Sequence, residues 1–254
     1  MANPTNTFKT ALRNRDPQIG LWLAMASPYT AELCGHAGYD WFVIDCEHAP
    51  NTVTSVVSQL QALQRFDCEP IVRIPVDDLS FVKQIADAGC RTVLAPMIES
   101  ADQAAAIVDA LYYPPLGHRG VGAGLARASH FGQDPGYLAK ANDEMCLLVQ
   151  VETRLGVDAI AEIARVPGVD CIFLGAADLA ADLGYLGKPE APEVKAVIAE
   201  AKKAIDAGNL PAGALTSNTA LAQDYLDQGF TFIGVGSDVG VMSSAVKGLR
   251  GQFR

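Results

Sequence analysis

The chain has 254 residues, half of them apolar, and a formal net charge of −10. This length allows a sizeable core and fits one α/β barrel. The acidic charge and the lack of a basic stripe argue against a nucleic-acid partner. No apolar run reaches the roughly 18 residues that a membrane-spanning helix needs, so we expect no membrane partner either.

Eight short apolar runs follow one another along the chain, separated by segments with helical periodicity. The runs occupy residues 19–25, 41–45, 70–75, 92–98, 146–152, 171–179, 210–216 and 230–238. Several of the intervening segments end in glycine, as helices often do. Nearly continuous apolar strands that alternate with helices indicate a parallel sheet covered by helices.

Eight such units in about 250 residues match the size of a (β/α)8 barrel. We therefore predict a single barrel domain over residues 1–254. A doubly wound open sheet is the alternative, and it is weakened because no GxGxxG loop follows the first strand.

One connection breaks this rhythm. It runs from Pro114 to Glu144, between the fourth helix and the fifth strand, and contains the sequence GHRGVGAGLARAS. A connection of this length is usually functional or part of an interface.

The six cysteines form no CxxC pair, and several lie inside apolar runs. A thiol in such a run behaves as a small apolar side chain. We expect free thiols, no signal peptide and a cytoplasmic location.

Polar residues gather at the predicted carboxyl ends of the strands, where barrel enzymes carry out their chemistry. They are Asp45, Glu47, His48, Arg73, Gln150, Glu152, Asp178, Ser237 and Asp238. A single acid at a strand end often caps the next helix, and Asp238 fits that interpretation best. Arg73 taken alone fits a salt-bridge partner equally well. The convergence of these groups on several strands is difficult to explain by capping.

Gln150 and Glu152 are two residues apart and so point to the same side of a strand. Asp178 comes from the adjacent predicted strand, which makes the site rich in oxygen and suited to Mg2+ or Mn2+. No lysine lies on a predicted strand, which argues against a Schiff-base route. Metal-assisted carbonyl chemistry is then the favoured route.

Five motifs, VIDCEHAP, VRIP, YPPLGHRGVG, LVQVET and GAADLAADLG, together resemble the HpcH/HpaI aldolase family of metal-dependent class II aldolases. The resemblance extends over nearly the whole chain. It implies a (β/α)8 barrel that forms a homotrimer or homohexamer, with active sites at subunit interfaces and the last helix packed on a neighbouring subunit. It also implies reversible addition of pyruvate or hydroxypyruvate to an aldehyde, giving a 4-hydroxy-2-oxo acid. The cation would be Mg2+ or Mn2+, with Co2+ or Zn2+ as further options.

The resemblance also assigns roles to residues that bind the metal and the substrate. Glu152 and Asp178 are the implied metal ligands. Gln150 and the backbone near Ala177 position the keto acid, which Asp178 and Arg73 also contact. Leu215 and Trp22 complete the substrate-binding set.

Four residues are implied to be catalytic. His48 belongs to the base that removes a C3 proton, and Asp45 orients this histidine or a water molecule. Arg73 stabilises the developing enolate oxygen. Asp87 raises the basicity of His48, while Glu47 is expected to lie behind the reacting groups.

The position of Asp87 has a geometric consequence. It ends a helix that runs away from the carboxyl ends of the strands, so in its own subunit it should lie at the opposite end of the barrel. It can reach an active site only across a subunit interface. Without the family resemblance, we would interpret it as a surface acid before a glycine cap.

Three other functions stay open. A related barrel lyase would act on acyl-CoA thioesters, although no basic patch for the coenzyme is evident. A phosphoenolpyruvate-mutase-like enzyme and a non-catalytic barrel that binds keto acids are the others. The identity of the aldehyde is also left open.

Overall fold

The computed structural model describes residues 5–253. Eight parallel strands close into a barrel in which each strand pairs with the next and the last pairs with the first. The strands are β1 Gln18–Leu23, β2 Trp41–Asp45, β3 Glu69–Arg73, β4 Thr92–Ala95, β5 Cys146–Val151, β6 Val169–Leu174, β7 Ala212–Leu215 and β8 Phe232–Ser237. The predicted (β/α)8 barrel is thus confirmed, and the open doubly wound sheet is wrong.

Helices surround the barrel, and Ser, Thr, Asn or Asp side chains cap the start of many of them. They are α1 Thr7–Asn14, α2 Pro28–Gly35, α3 Val53–Leu63, α4 Leu79–Asp87, α5 Ala101–Leu111, α6 Tyr137–Glu144, α7 Arg154–Asp158, α8 Ile160–Ile163, α9 Ala176–Asp182, α10 Pro192–Ala207, α11 Thr219–Asp227 and α12 Asp238–Gly251. No helix among residues 5–253 is long and apolar enough to cross a membrane.

Seven of the eight predicted strands end earlier than expected, and the sixth differs most. The sixth strand stops at Leu174, and α9 begins two residues later, so Asp178 lies in the first turn of a helix and not on a strand. The Ala-Ala-Asp-Leu sequence favours a helix, and an acid is stabilised at the positive end of the helix dipole. The eighth strand ends at Ser237, which caps α12.

The core has two layers because neighbouring residues on a strand point to opposite faces. On β2, Phe42 and Ile44 pack outward against the helices, while Trp41 and Val43 fill the barrel interior. Two residues of α1, Phe8 and Leu12, join this interior cluster. The sequence analysis did not predict α1. It closes the amino-terminal end of the barrel, here called the floor, and leaves the carboxyl end, here called the mouth, for ligands.

Helix α12 differs from the other long helix, α10. Val194, Ile198 and Ile205 of α10 are buried against the barrel. On α12 the apolar residues are 45–61 % exposed, namely Val239, Val241, Met242, Val246 and Leu249. In this chain, therefore, α12 extends from the barrel without covering it.

The start of α12 is fixed by Asp238. Its carboxylate accepts hydrogen bonds from the backbone N–H groups of Ala24, at 2.9 Å, and Met25, at 3.1 Å, just beyond β1. Asp238 is therefore structural, as the capping interpretation predicts. Its detailed role differs, because Ser237 is the residue that caps the helix.

Candidate active site

The candidate site lies at the mouth, where β2, β3 and β5 end and α9 begins. Asp45 and Arg73 are the last residues of β2 and β3, and the parallel register places them side by side. Glu47 and His48 follow in the turn after β2. Gln150 is on β5, Glu152 follows that strand, and Asp178 projects from the first turn of α9.

Arg73 is held by two carboxylates. Its Nε and Nη2 donate to the two oxygens of Asp45, at 2.9 and 2.7 Å, and its Nη1 lies 2.9 Å from Glu47 Oε2. Two of its five N–H groups are used in hydrogen bonds to Asp45, which leaves N–H groups on the terminal nitrogens for a ligand. The guanidinium is thus fixed before any substrate arrives.

Asp45 holds the turn as well as the arginine. Its Oδ1 also accepts from the backbone N–H groups of Glu47, at 3.1 Å, and His48, at 3.3 Å. Burial alone would raise the pKa of Asp45, but the hydrogen bonds from Arg73 and from these backbone groups outweigh it and lower the pKa. Asp45 therefore contacts His48 through the backbone, while the imidazole lies nearer to Glu47.

His48 forms the exposed edge of this group, and Glu47 lies beside it with a side chain that is only 11 % exposed. The imidazole Nε2 is 3.8 Å from Glu47 Oε2, and the His48 side chain is 64 % exposed, so a ligand can reach it. Burial raises the pKa of Glu47, and the nearby charges of Asp45 and Asp178 raise it further, against the opposing effect of Arg73 and His48. Glu47 is thus within ion-pair distance of both His48 and Arg73, and its expected place behind the reacting groups stays a prediction.

Glu152 is the most deeply buried acid of the site, at 2 % exposure. Its Oε1 accepts from the backbone N–H of Met97 at 2.9 Å, and its Oε2 accepts from the Gln150 amide. Burial raises the pKa of Glu152 to about 7, against these two hydrogen bonds, and Asp178 and Glu47 raise it further. The Glu152 carboxylate is thus fixed by hydrogen bonds at a buried position that disfavours its ionised form.

The backbone around Glu152 is unusual in two places. Met97 has a positive φ of 55°, which is rare for a residue with a side chain, and this conformation directs its N–H at the carboxylate. A Cβ atom at Gly175 would lie 2.2 Å from Glu152 Oε2, so only glycine fits there. Sequence reasoning found neither residue, because both act through the fold.

The donor set fits a hard divalent cation. The charge of Asp178 raises the pKa of Glu47 and of Glu152, Glu47 raises that of Glu152 as well, and a bound cation would relieve this repulsion. Gln150 Oε1 is buried and has no hydrogen-bond partner among residues 5–253. In the same range, no group of three or more His, Cys, Asp and Glu side chains is arranged to hold a metal alone. Water or substrate would therefore complete the ligands.

The predicted substrate-binding residues also lie at the mouth. Trp22 and Leu215 approach each other on either side of Gly234, where an added Cβ would lie 2.6 and 2.7 Å from their side chains. The Trp22 ring is buried, and its N–H has no partner in the described part of the chain. Ala177 is exposed beside Asp178. Together these residues outline the wall and rim of the site.

Asp87 lies apart from this group. It is the last residue of α4, which returns from the mouth to the start of β4 at the floor. Its Oδ1 accepts from Arg119 Nη2 at 2.6 Å. The chain thus places Asp87 where the sequence analysis expected it in its own subunit, and its catalytic role stays a prediction.

The sequence model of the family described as HpcH/HpaI aldolase/citrate lyase matches residues 18–245. The chain belongs to the HpcH/HpaI aldolase family. This confirms the predicted resemblance.

Two curated relatives and one solved structure illustrate the similarity. The chain is 48 % identical to the hydroxypyruvate/pyruvate aldolase of Agrobacterium fabrum (strain C58), covering 100 % of this chain and 96 % of that protein. It is 47 % identical to the 4-hydroxy-2-oxo-heptane-1,7-dioate aldolase of Escherichia coli, covering 98 % and 95 %. It superimposes with a TM-score of 0.95 and 41 % identity on an HpcH/HpaI aldolase/citrate lyase family protein from Burkholderia cenocepacia J2315, covering 98 % and 100 %.

Proposed function

We propose that the protein is a divalent-metal-dependent class II aldolase. It adds the enolate of pyruvate or hydroxypyruvate to an aldehyde, giving a 4-hydroxy-2-oxo acid, and catalyses the reverse cleavage. The observation that carries this proposal is Glu152, a buried carboxylate with a raised pKa beside the unpartnered Gln150 oxygen. None of the eight strands contains a lysine, so a Schiff base has no candidate residue on the barrel wall.

Glu152 and Asp178 are the residues that would hold the cation. Their oxygen ligands suit Mg2+ or Mn2+, with Co2+ or Zn2+ as further options. When bound, the cation withdraws electrons from the ketone of the substrate and makes its C3 protons more acidic.

The side chains of this chain supply the remaining functions. His48 is exposed at the rim and accepts the C3 proton. Arg73, fixed by Asp45 and Glu47, offers its free N–H groups to the developing enolate oxygen. Gln150 and the backbone at Ala177 position the keto acid. Trp22 and Leu215 line the space left for the rest of the substrates.

The proposal includes an oligomer. The exposed apolar residues of α12 would be buried against a neighbouring subunit of a homotrimer or homohexamer. In such an assembly Asp87 of one subunit would approach His48 of the next. We treat residues 1–254 as one barrel domain, and the cytoplasmic location stays a prediction.

Proton exchange separates this function from the alternatives. The protein is incubated with pyruvate in D2O, without an aldehyde, and deuterium at C3 is followed by NMR. We expect exchange that stops with a chelator and returns with Mg2+, Mn2+, Co2+ or Zn2+. Binding of pyruvate without exchange would support a non-catalytic barrel, and a covalent pyruvate adduct trapped by borohydride would overturn the metal route.

The role of Arg73 is tested by Arg73→Lys. Lysine keeps the charge but lacks the planar fork that contacts Asp45 and presents N–H groups to the substrate. We expect kcat for aldol cleavage to fall by about 10²–10³, the usual effect of losing one donor to a developing oxyanion, with KM little changed. A rise in KM at constant kcat would assign Arg73 to ground-state binding.

A further inference from the structure

The connection between α5 and α6 carries a buried arginine, Arg119, that the proposed mechanism has not used. It is 2 % exposed. Its guanidinium carbon lies 4.4 Å from the centre of the Tyr113 ring, within the range of a cation–π contact. Its Nη2 donates to the Tyr137 hydroxyl at 3.3 Å and to Asp87 Oδ1 at 2.6 Å. Two tyrosines therefore fix the arginine, and the arginine holds Asp87.

This arrangement is costly if its purpose is stability alone. Arg119 Nε and Nη1 are buried and have no hydrogen-bond partner among residues 5–253. A buried donor left without a partner typically costs about 1–3 kcal/mol. Asp87 ends α4, where the helix dipole disfavours a carboxylate. Each group thus carries a local cost, which the contact between Arg119 and Asp87 opposes.

The second oxygen of Asp87 is left for another molecule. The side chain is 25 % exposed, and Oδ2 accepts no hydrogen bond from the described residues. The loop passes beside it at Gly122, where an added Cβ would lie 3.6 Å from Oδ2. The carboxylate is therefore held at one oxygen and open at the other.

We propose that Arg119 is a positioning residue that fixes Asp87 Oδ1 and so presents Oδ2 to His48 of a neighbouring subunit. This inference rests on the proposed function, in which Asp87 acts across the interface. Tyr113 and Tyr137 keep the guanidinium in place. Asp87, which would complete the active site of one subunit, would then be oriented entirely by residues of the neighbouring subunit to which it belongs.

The first test uses pyruvate C3 exchange with added Mg2+. Arg119→Met keeps an apolar stem over Tyr113 but removes the cation. We expect it to lower the exchange kcat about as much as Asp87→Asn, with the pyruvate KM and metal affinity unchanged. The double variant should be no slower than Asp87→Asn alone, because both changes act through one carboxylate. Additive losses would overturn the inference.

The second test mixes inactive or weakened subunits. Oligomers that combine Arg119→Met with His48→Ala should exceed the mean activity of the two parents. About a quarter of the sites in a random mixture would draw an intact His48 and an intact Arg119–Asp87 pair from adjacent subunits. Oligomers that combine Arg119→Met with Asp87→Asn should show no such gain, because every site lacks a positioned carboxylate.

The controls separate two kinds of failure. If Asp87→Asn complements His48→Ala but Arg119→Met does not, Arg119 does not serve the neighbouring site and the inference is wrong. If Asp87→Asn also fails to complement in verified mixed oligomers, the proposed role of Asp87 is wrong. Should Arg119→Met fail to fold, Arg119→Lys replaces it. Its single ammonium group should give an intermediate loss and the same complementation pattern.

Discussion

Both ends of the barrel contain buried polar groups, but the two ends differ in how completely these groups are paired. Beneath α1, the floor contains a buried network in which each charged group has partners, whereas Arg119, beside the floor end of α4, keeps Nε and Nη1 without hydrogen-bond partners in the described part of the chain. The mouth contains buried polar atoms that lack them. This difference separates the polar residues that serve the fold from those that are available to a ligand, because native folds rarely leave a buried polar atom unsatisfied.

At the floor, the network ties α1 to the first residues of the strands. Thr92 Oγ1 accepts from Asn6 Nδ2 at 3.0 Å and donates to Glu69 Oε1 at 2.7 Å. Lys9 Nζ donates to the carbonyl of Met145 and lies 3.6 Å from Asp170 Oδ2. These contacts account for the buried charges without any ligand.

At the mouth, three buried atoms have no hydrogen-bond partner among residues 5–253. They are Trp22 Nε1, Glu47 Oε2 and Gln150 Oε1. Glu47 Oε2 has an ion-pair contact with Arg73, but not in hydrogen-bonding geometry. Gln150 donates to Glu152, and Glu47 is close enough to Glu152 and Asp178 for their charges to interact, so two of these residues lie where the proposed cation and keto acid would bind.

The largest expected effect comes from substituting Glu152, an acid at the mouth. Glu152→Gln should lower kcat/KM for aldol cleavage by about 10³ or more, since a catalytic cation contributes several kcal/mol. Metal affinity by calorimetry should fall in parallel, while the metal-free barrel unfolds at the same or a higher temperature. Glu69→Gln, the matched change at the floor, should retain metal binding and activity. Unchanged metal affinity in Glu152→Gln would remove this acid from the site.

The converse change removes a cation from the floor. Lys9→Met leaves Asp170 with weaker partners and should lower the free energy of unfolding by about 3 kcal/mol, measured with urea. The kcat of the folded protein should not change. Arg13→Met is the matched control, because Arg13 contacts the same carboxylate at 3.4 Å from an exposed position. Exposed ion pairs contribute about 0–1 kcal/mol to stability. Equal losses of unfolding free energy in the two variants would therefore show that burial does not determine how much each pair contributes.

The raised pKa of Glu152 predicts how pH acts on the metal-free protein. Its folded pKa of about 7 lies above the ordinary value of 4.5, so the folded state binds more protons between these values. Stability is therefore fully present below the lower value and is lost as pH rises through the higher one. The loss from this group is about 3 kcal/mol. With a chelator present, unfolding free energies of the wild type and Glu152→Gln should diverge in this sense from about pH 5 to about pH 8. Parallel curves would contradict the assignment.

The sequence reveals the fold well because the strand signals are local. Residues 41–44 of β2 and 70–72 of β3 are apolar, and the polar residues that follow them, Asp45 and Arg73, mark the mouth directly. Gln150 and Glu152 were expected on one side of β5, and the hydrogen bond between their side chains confirms this. Asp178 was assigned to the mouth correctly, although it lies on a helix.

The contacts that sequence reasoning missed join distant parts of the chain. Met97 is 55 positions from the Glu152 carboxylate that it contacts, and Arg119 is 32 positions from Asp87. Helix α1 was missed because it has only eight residues and precedes the first of the repeating strand–helix units. Phe8 and Leu12 of this helix pack into the barrel interior, a role that only the three-dimensional structure shows. Such features depend on tertiary proximity, which one sequence does not encode locally.

The smallest expected effect concerns an exception at the floor. Thr231 precedes β8 and is 4 % exposed, and its Oγ1 has no hydrogen-bond partner within residues 5–253. Its backbone N–H and C=O are satisfied by Ala212 O, at 3.0 Å, and the Gln18 N–H, at 2.7 Å. Burial of this hydroxyl therefore costs desolvation free energy that no hydrogen bond offsets.

Thr231→Val replaces this hydroxyl by a methyl group of similar size and should raise the free energy of unfolding by up to about 1 kcal/mol. Thr92→Val is the matched change, since its hydroxyl bonds both Asn6 and Glu69. That variant should lose about 1–3 kcal/mol, because it leaves buried partners unsatisfied. Neither variant should alter kcat, since both positions are at the floor. If urea unfolding shows equal losses for the two valines, the Thr231 hydroxyl has a partner after all, and unsatisfied atoms alone do not distinguish the mouth from the floor.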